Sequence, residues 1–359
     1  MKRLALLALL ALLLACPARA DGLADALGLP EVEKAAPQGS AEAVGDPDVA
    51  DADLGSGLEA LLRFAGARLP EALREVLRPL AAIIGVTLLC AAAEAFTAGG
   101  RGADTVSFAG CLAIAAVSAH DVKSVLALGG ETVRSLRDFS RVLLPTLTTA
   151  AAASGGGGAA GATWAAAAMF SDLLLSTAEN LILPLIGGMT AAAAVSAVLG
   201  ERRLDGAVRL TQWLAKTLLR GLAMAFTAYL GVTRALGAQA DAAAAKTVKA
   251  VLSNALPVVG RLLSDASEAF VAGAGLLRMS VGVYGMLITL SAVCLPVLRL
   301  GLRWLLFRAA AAVCAGVAGE RQGTLIDRLG SACGLILGLV SVAAAAEFLS
   351  ILSLIRTVT

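Results

Sequence analysis

Apolar residues recur along this chain in runs longer than the buried stripe of a water-soluble helix requires: Leu80–Ala98, Leu181–Leu199, Leu218–Leu236, Met279–Leu298 and Gly334–Ile355. A helix rises about 1.5 Å per residue and the hydrocarbon core of a bilayer is about 30 Å thick, so about 20 apolar residues span it. Each run meets that length. Thr105–Ala119 is slightly short and lengthens by borrowing residues toward Leu128; Trp304–Gly319 is a weaker candidate, because Arg308 has to snorkel or face protein. The pattern predicts an all-α integral membrane protein, a multi-pass helical bundle.

One apolar stretch differs in kind. Gly155, Gly156, Gly157 and Gly158 cut Val142–Phe170 into two arms of about twelve residues, each about 18 Å long as helix. Consecutive glycines make helix costly there, so a Gly-broken helix or a re-entrant hairpin is expected, against the plainer reading of a loop between interfacial segments. Pro145, Pro184, Pro257 and Pro296 complete the set of candidate breaks or hinges.

Ahead of the first run, Lys2-Arg3, Leu4–Leu14 and Ala18-Arg19-Ala20 have the order of a signal peptide over residues 1–20. Leu13-Leu14-Ala15-Cys16 resembles a lipobox, so cleavage after Ala20, lipidation at Cys16 and retention as an anchor all stay open. Residues 21–57 read as an acidic, mobile extracytoplasmic segment: Asp21 to Glu59 carries ten acidic residues and one basic, Lys34. Over 58–79, Arg63, Arg68, Arg74 and Arg78 interleave with leucines, as in an amphipathic helix at the membrane surface. Residues 80–359 form the polytopic domain, and residues 21–77 are expected outside the cytoplasm.

Composition agrees with the pattern. Of 359 residues 58% are hydrophobic and 16% charged, and the formal net charge of +2 offers no general electrostatic case for nucleic acid. The bilayer is the expected surrounding. Six cysteines stand singly and His120 is the sole histidine, so no zinc-type ligand spacing, metal site or cofactor motif is present in the sequence.

Compared with itself, the chain shows ordered matches. Arg134–Arg137 ahead of Leu144-Pro145 corresponds to Lys246–Lys249 ahead of Leu256-Pro257 at an offset of 112, which also carries Leu183-Pro184 onto Leu295-Pro296. Gly200-Glu201-Arg202 recurs as Gly319-Glu320-Arg321 at an offset of 119. An internal duplication over 105–217 and 218–336 is expected, and such repeats commonly place a working site at their interface.

The polar face that follows Pro257 is the candidate contact surface. Arg261, Ser264, Asp265 and Glu268 fall at i, i+3, i+4 and i+7, on one face of a helix. Such a face lines an aqueous path or receives a partner, or it rests in the headgroup layer.

Other chemistry is poorly represented. Ser118, His120 and Asp121 are neighbours that point in different directions on a helix, and His120 reads as a loop-end residue rather than part of a triad. The glycine run lacks the Lys-Ser/Thr tail of a phosphate loop. Glu94 and Glu179 lie near segment ends, whereas Glu347 sits inside an apolar run and is expected to make an interhelical hydrogen bond.

Taken in order, the signal-like start, Leu144-Pro145 followed by Ser154-Gly155-Gly156, Leu181 with Pro184-Leu185-Ile186, and Pro257-Val258-Val259-Gly260-Arg261 with Ser264-Asp265-Ala266 resemble the stage III sporulation protein AE family of endospore-forming bacteria. The resemblance covers most of the chain after about residue 75 and is most specific over Ala255–Ala266. The chain departs from it in carrying Ala and Gly where bulkier Ile and Phe are expected, and in its acidic lead. The resemblance implies a non-enzymatic, multi-pass subunit in the mother-cell membrane facing the forespore. It implies as partners the other stage III A sporulation membrane proteins and the forespore-side channel partner, in a channel complex across the two membranes. The alternative from another class is a stand-alone secondary transporter built on the repeats, which requires ionisable residues paired at the repeat interface.

Overall fold

The computed structural model describes residues 29–37, 39–40, 43, 54–96, 101–153, 157–200, 203–252, 260–314, 316 and 319–356. Side chains are described for these except at 29, 101, 151–153, 157–166, 203, 230, 232–252, 260–278, 354 and 356. The described backbone is helical and no strand occurs in it. In chain order the helices are α1 (Leu29–Ala35), α2 (Leu54–Phe96), α3 (Arg101–Ala153), α4 (Gly157–Thr177), a π-helical turn (Ala178–Ile182), α5 (Leu183–Leu199), α6 (Arg203–Leu252), α7 (Gly260–Cys314) and α8 (Glu320–Arg356).

The helices exceed the bilayer by a wide margin. At 53 residues α3 is about 80 Å long, and α7 with 55 is similar, against a hydrocarbon core of about 30 Å. Five helical stretches among the described residues are long and apolar enough to cross a membrane: Leu54–Phe96, Gly102–Ala150, Ala167–Leu199, Met279–Cys314 and Glu320–Ser353. Trp304–Gly319 is not a separate span, since α7 runs unbroken from the preceding apolar run to Cys314, with Arg308 ion-paired to Asp327 of α8. Leu218–Leu236 lies within α6, whose side chains from residue 232 onward are outside the described ones.

Several neighbouring helices are antiparallel; in α7 and α8, Arg308 pairs with Asp327 and Gly282 packs on Ile355. Pairing of Arg134 and Arg137 on α3 with Glu179 and Asp172 beyond the glycine run shows that α3 and α4 are antiparallel. The two arms of Val142–Phe170 therefore belong to the tip of a helical hairpin; Gly155 and Gly156 lie outside the described residues, and the backbone of Gly157 and Gly158 opens α4. Pro145 and Pro296 sit inside continuous helices, Pro184 follows the π-helical turn, and Pro257 is outside the described residues.

The core lies between α3, α5, α7 and α8 and includes Ile114, Leu136, Ile186, Phe307, Leu325 and Ile336, all buried. Small residues let the backbones approach. At Gly129 of α3 an added Cβ would lie 2.5 Å from Cγ2 of Ile336 on α8, so a larger side chain would push the two helices apart. The outer surface is apolar as well: Leu62, Leu89, Phe96 and Met169 are exposed, which is costly in water and natural against lipid tails. A second cluster beneath Phe139, Leu143, Tyr284 and Ile351 takes in Val32 of α1, so the acidic segment contributes one docked element.

The turn at Gly200 illustrates how the chain reverses. Gly200 adopts φ 66°, the left-handed conformation that ends a helix at least cost in glycine, and its N–H donates to the Ser196 carbonyl at 3.0 Å. Gly200 packs under the Arg321 guanidinium, so the ends of α5 and α8 meet there.

Candidate functional site

Among the described residues, three groups of ionisable side chains between the helices stand out beside isolated pairs such as Arg308–Asp327. The deepest joins α2, α3 and α7. Arg299 and Arg303 are four residues apart on one face of α7, and Arg303 is only 2% exposed. Its Nε donates to Asp121 Oδ1 of α3 at 3.1 Å and its Nη2 to Glu75 Oε1 of α2 at 2.8 Å. Arg299 Nε stands 3.5 Å from Glu75 Oε2. Arg303 and Asp121 are buried whereas Glu75 and Arg299 are partly exposed, and pairing is the condition for keeping the two inner charges at such depth. Two donors, Arg299 Nε and Arg303 Nη1, are buried and make no hydrogen bond to protein.

The second group follows the α3–α4 hairpin. Arg134, Arg137 and Arg141 are spaced i, i+3 and i+7 on α3, opposite Asp172 of α4 and Glu179 of the π-helical turn. Arg137 Nε reaches Asp172 Oδ1 at 2.8 Å, Arg141 Nη2 the same oxygen at 2.9 Å, and Arg134 Nε reaches Glu179 Oε1 at 2.5 Å. Beside this ladder a cleft of about 790 Å³ is lined by Ser140, Arg141, Pro145, Asp172 and Tyr229 among others. Tyr229 stacks on Phe170 with ring centroids 4.8 Å apart.

The third group lies near the Gly200 turn. Asp205 Oδ1 of α6 accepts from Arg328 Nη2 of α8 at 2.6 Å and from Ser196 Oγ of α5 at 2.7 Å. The Arg328 guanidinium, followed by the Ser196 hydroxyl, holds the Asp205 carboxyl below the usual carboxylate range. Three helices are tied together at one oxygen.

Several residues singled out in the sequence acquire definite places. Asp121 turns to Arg303, while His120 is exposed in mid-α3 rather than at a loop end, because α3 continues past it for another thirty-three residues to Ala153. Glu179 is part of the ladder. Glu347 is 1% exposed on α8, with the Ser140 hydroxyl of α3 within reach of its carboxyl but without the alignment of a formed hydrogen bond. The side chains of Arg261, Ser264, Asp265 and Glu268 are outside the described ones, although their backbone forms the first turns of α7. Sequence reasoning missed Arg303. Its signal was present, as an arginine within the apolar stretch Met279–Cys314, but only the fold reveals Asp121 and Glu75 as its partners.

Chemically, the three groups hold helices in register and provide polar surface inside an apolar bundle. Among the described residues no group of three or more His, Cys, Asp or Glu is placed to hold a metal ion, and Cys90, Cys111, Cys294, Cys314 and Cys333 are free thiols.

An all-α fold with five stretches able to cross a bilayer, and ion pairs drawn between them, defines a multi-pass membrane protein. The sequence profile of the family described as Stage III sporulation protein AE matches residues 50–357, and the chain belongs to that family, a family of sporulation membrane proteins. It is 26% identical over 176 residues to Stage III sporulation protein AE of Bacillus subtilis (strain 168), covering 48% of this chain and 43% of that protein. The matched segment thus spans less than half the length of the relative. No solved structure matches.

Proposed function

We propose that this chain is a non-enzymatic membrane subunit of the stage III A channel complex between mother cell and forespore, seated in the mother-cell membrane facing the forespore. The family match over residues 50–357 carries this reading. Supporting it, many of the described charges pair between helices, whereas large apolar side chains cover the outside. Residues 21–77 would lie outside the cytoplasm, delivered by the signal-like start. The polar face Arg261, Ser264, Asp265 and Glu268 is the contact surface offered to the other stage III A membrane proteins or to the forespore-side channel partner.

Affinity purification of the full chain from sporulating cells tests this. The other stage III A membrane proteins are expected to co-purify from solubilised membranes; their absence under conditions that keep the chain folded would overturn the assignment.

A further inference from the structure

The core and the cluster beneath Tyr284 are separate bodies of buried apolar side chains, and the border between them crosses four helices. Leu136 of α3, Leu174 of α4, Val293 of α7 and Ala346 of α8 belong to the first; Phe139, Ala168, Ile288 and Ile351 of the same helices belong to the second. Polar side chains occupy that border: Ser140 of α3, Ser171 of α4, Thr289 and Ser291 of α7, and Glu347 and Ser350 of α8, none more than 5% exposed. They are of two kinds. Thr289 donates its hydroxyl to the Gly285 carbonyl at 2.8 Å and Ser291 to that of Ile288 at 2.9 Å, as hydroxyls inside apolar helices ordinarily do. By contrast, both carboxyl oxygens of Glu347, the Ser350 hydroxyl one turn further along α8, and the Ser171 hydroxyl are buried with no hydrogen-bond partner among the described residues. Ser140 brings α3 to the same place. Its hydroxyl is within reach of the Glu347 carboxyl, and Arg137 and Arg141 on either side of it both pair with Asp172, the neighbour of Ser171.

A carboxylate inside an apolar bundle requires a counter-charge, and no arginine or lysine among the described residues donates to Glu347. Well-packed apolar side chains would join these helices at least as well as a bare polar layer. Oxygen atoms alone, one carboxylate with hydroxyls around it, are the donor set that suits a hard cation. The charge of that cation follows from the charge of the site. One carboxylate balances one positive charge, whereas a divalent ion would leave an excess at depth. A proton would engage one carboxyl oxygen and leave the serine oxygens bare. We propose that Glu347, with Ser140, Ser171 and Ser350, binds a single alkali-metal cation that joins α3, α4 and α8. The cleft of about 790 Å³ beside the α3–α4 ladder is lined by Ser140 and Asp172, so the site borders on an opening with a carboxylate at its edge. The site lies within this chain, so it stands or falls independently of recovery of the stage III A proteins.

The test uses the full chain purified in detergent, with choline replacing all alkali ions, at mildly alkaline pH where a proton competes least. Radioactive sodium, or rubidium standing for potassium, is titrated in at constant ionic strength. Equilibrium dialysis reads the binding, and the thermal unfolding midpoint is followed in parallel. Saturable binding of one of these ions, with a rise in the midpoint that follows its occupancy, is expected. Glu347→Gln keeps the size of the side chain and removes its charge, so it abolishes both the binding and the cation-dependent rise. Ser350→Ala and Ser171→Ala each weaken binding by about tenfold, the loss of one contact to a charged group. Thr289→Val, whose hydroxyl is already given to its own helix, leaves the affinity unchanged. Size-exclusion chromatography in choline checks that each variant is folded, and the two serine variants decide the matter if Glu347→Gln is not. Absence of saturable binding of either ion, binding retained in folded Glu347→Gln, or an affinity that Ser350→Ala and Ser171→Ala leave unchanged overturns the site.

Discussion

Arg303 of α7 donates its Nε to Asp121 of α3 at 3.1 Å across 182 residues of sequence, and its guanidinium is almost wholly removed from solvent. Neither residue lies near the other in any local pattern. Their meeting fixes the axial position of α7 against α3, and Glu75 extends the same constraint to α2.

Removing Arg303 strands the buried Asp121 carboxylate without its counter-charge. Arg303→Ala is therefore expected to destabilise the protein by about 3 kcal/mol or more, read from denaturant unfolding in mixed micelles. A double-mutant cycle with Asp121→Ala should show coupling on the order of 1–3 kcal/mol. Additive effects would mean that the two side chains do not act on each other.

Along the α3–α4 hairpin, Arg137 touches both Asp172 and Glu179 and is more enclosed than Arg134, which is largely exposed. Arg137→Ala should cost on the order of 1 kcal/mol, and Arg134→Ala distinctly less. Parallel unfolding measurements on the two variants test the order, and a larger loss for Arg134→Ala would contradict it.

The Asp205 junction sets a pH dependence whose sign follows from the lowered carboxyl pKa. With the folded value below the ordinary 3.8, this group's stabilisation is complete above that ordinary value and is lost as pH falls through the folded one. Asp205→Asn should be less stable at neutral pH yet lose less on further acidification. Stability measured against pH over the acid range checks both halves of the statement.

For the α7 polar face, Asp265→Ala is expected to lower recovery of stage III A partners while membrane insertion stays intact. Reversal of charge at both Arg261 and Asp265 should restore part of the loss. Unchanged sporulation and partner recovery in Asp265→Ala, Glu268→Ala and the double variant would assign these side chains to the headgroup layer.

Topology is open to direct labelling. Glu33 is exposed on α1, so Glu33→Cys should react with a membrane-impermeant thiol reagent in intact cells if residues 21–77 are extracytoplasmic. Reaction only after lysis would place the segment on the cytoplasmic side.

The helical membrane class was legible in the sequence because it depends on one-dimensional quantities, the length of an apolar run against the thickness of a bilayer. The family was legible in the order of its short motifs. Continuity of α3 through Pro145 and of α7 through Pro296 was not, since the helix propensity of one residue is small beside the packing that holds a long helix on its neighbours. Charge pairing was the least accessible. Asp121 read as the neighbour of His120, and Arg303 was not singled out, until α2, α3 and α7 brought Glu75, Asp121 and Arg303 together. The bilayer rewards each apolar helix separately and so leaves its trace in local composition. An ion pair between helices depends on their rotation and axial shift, which arise only when close-packed faces choose one another.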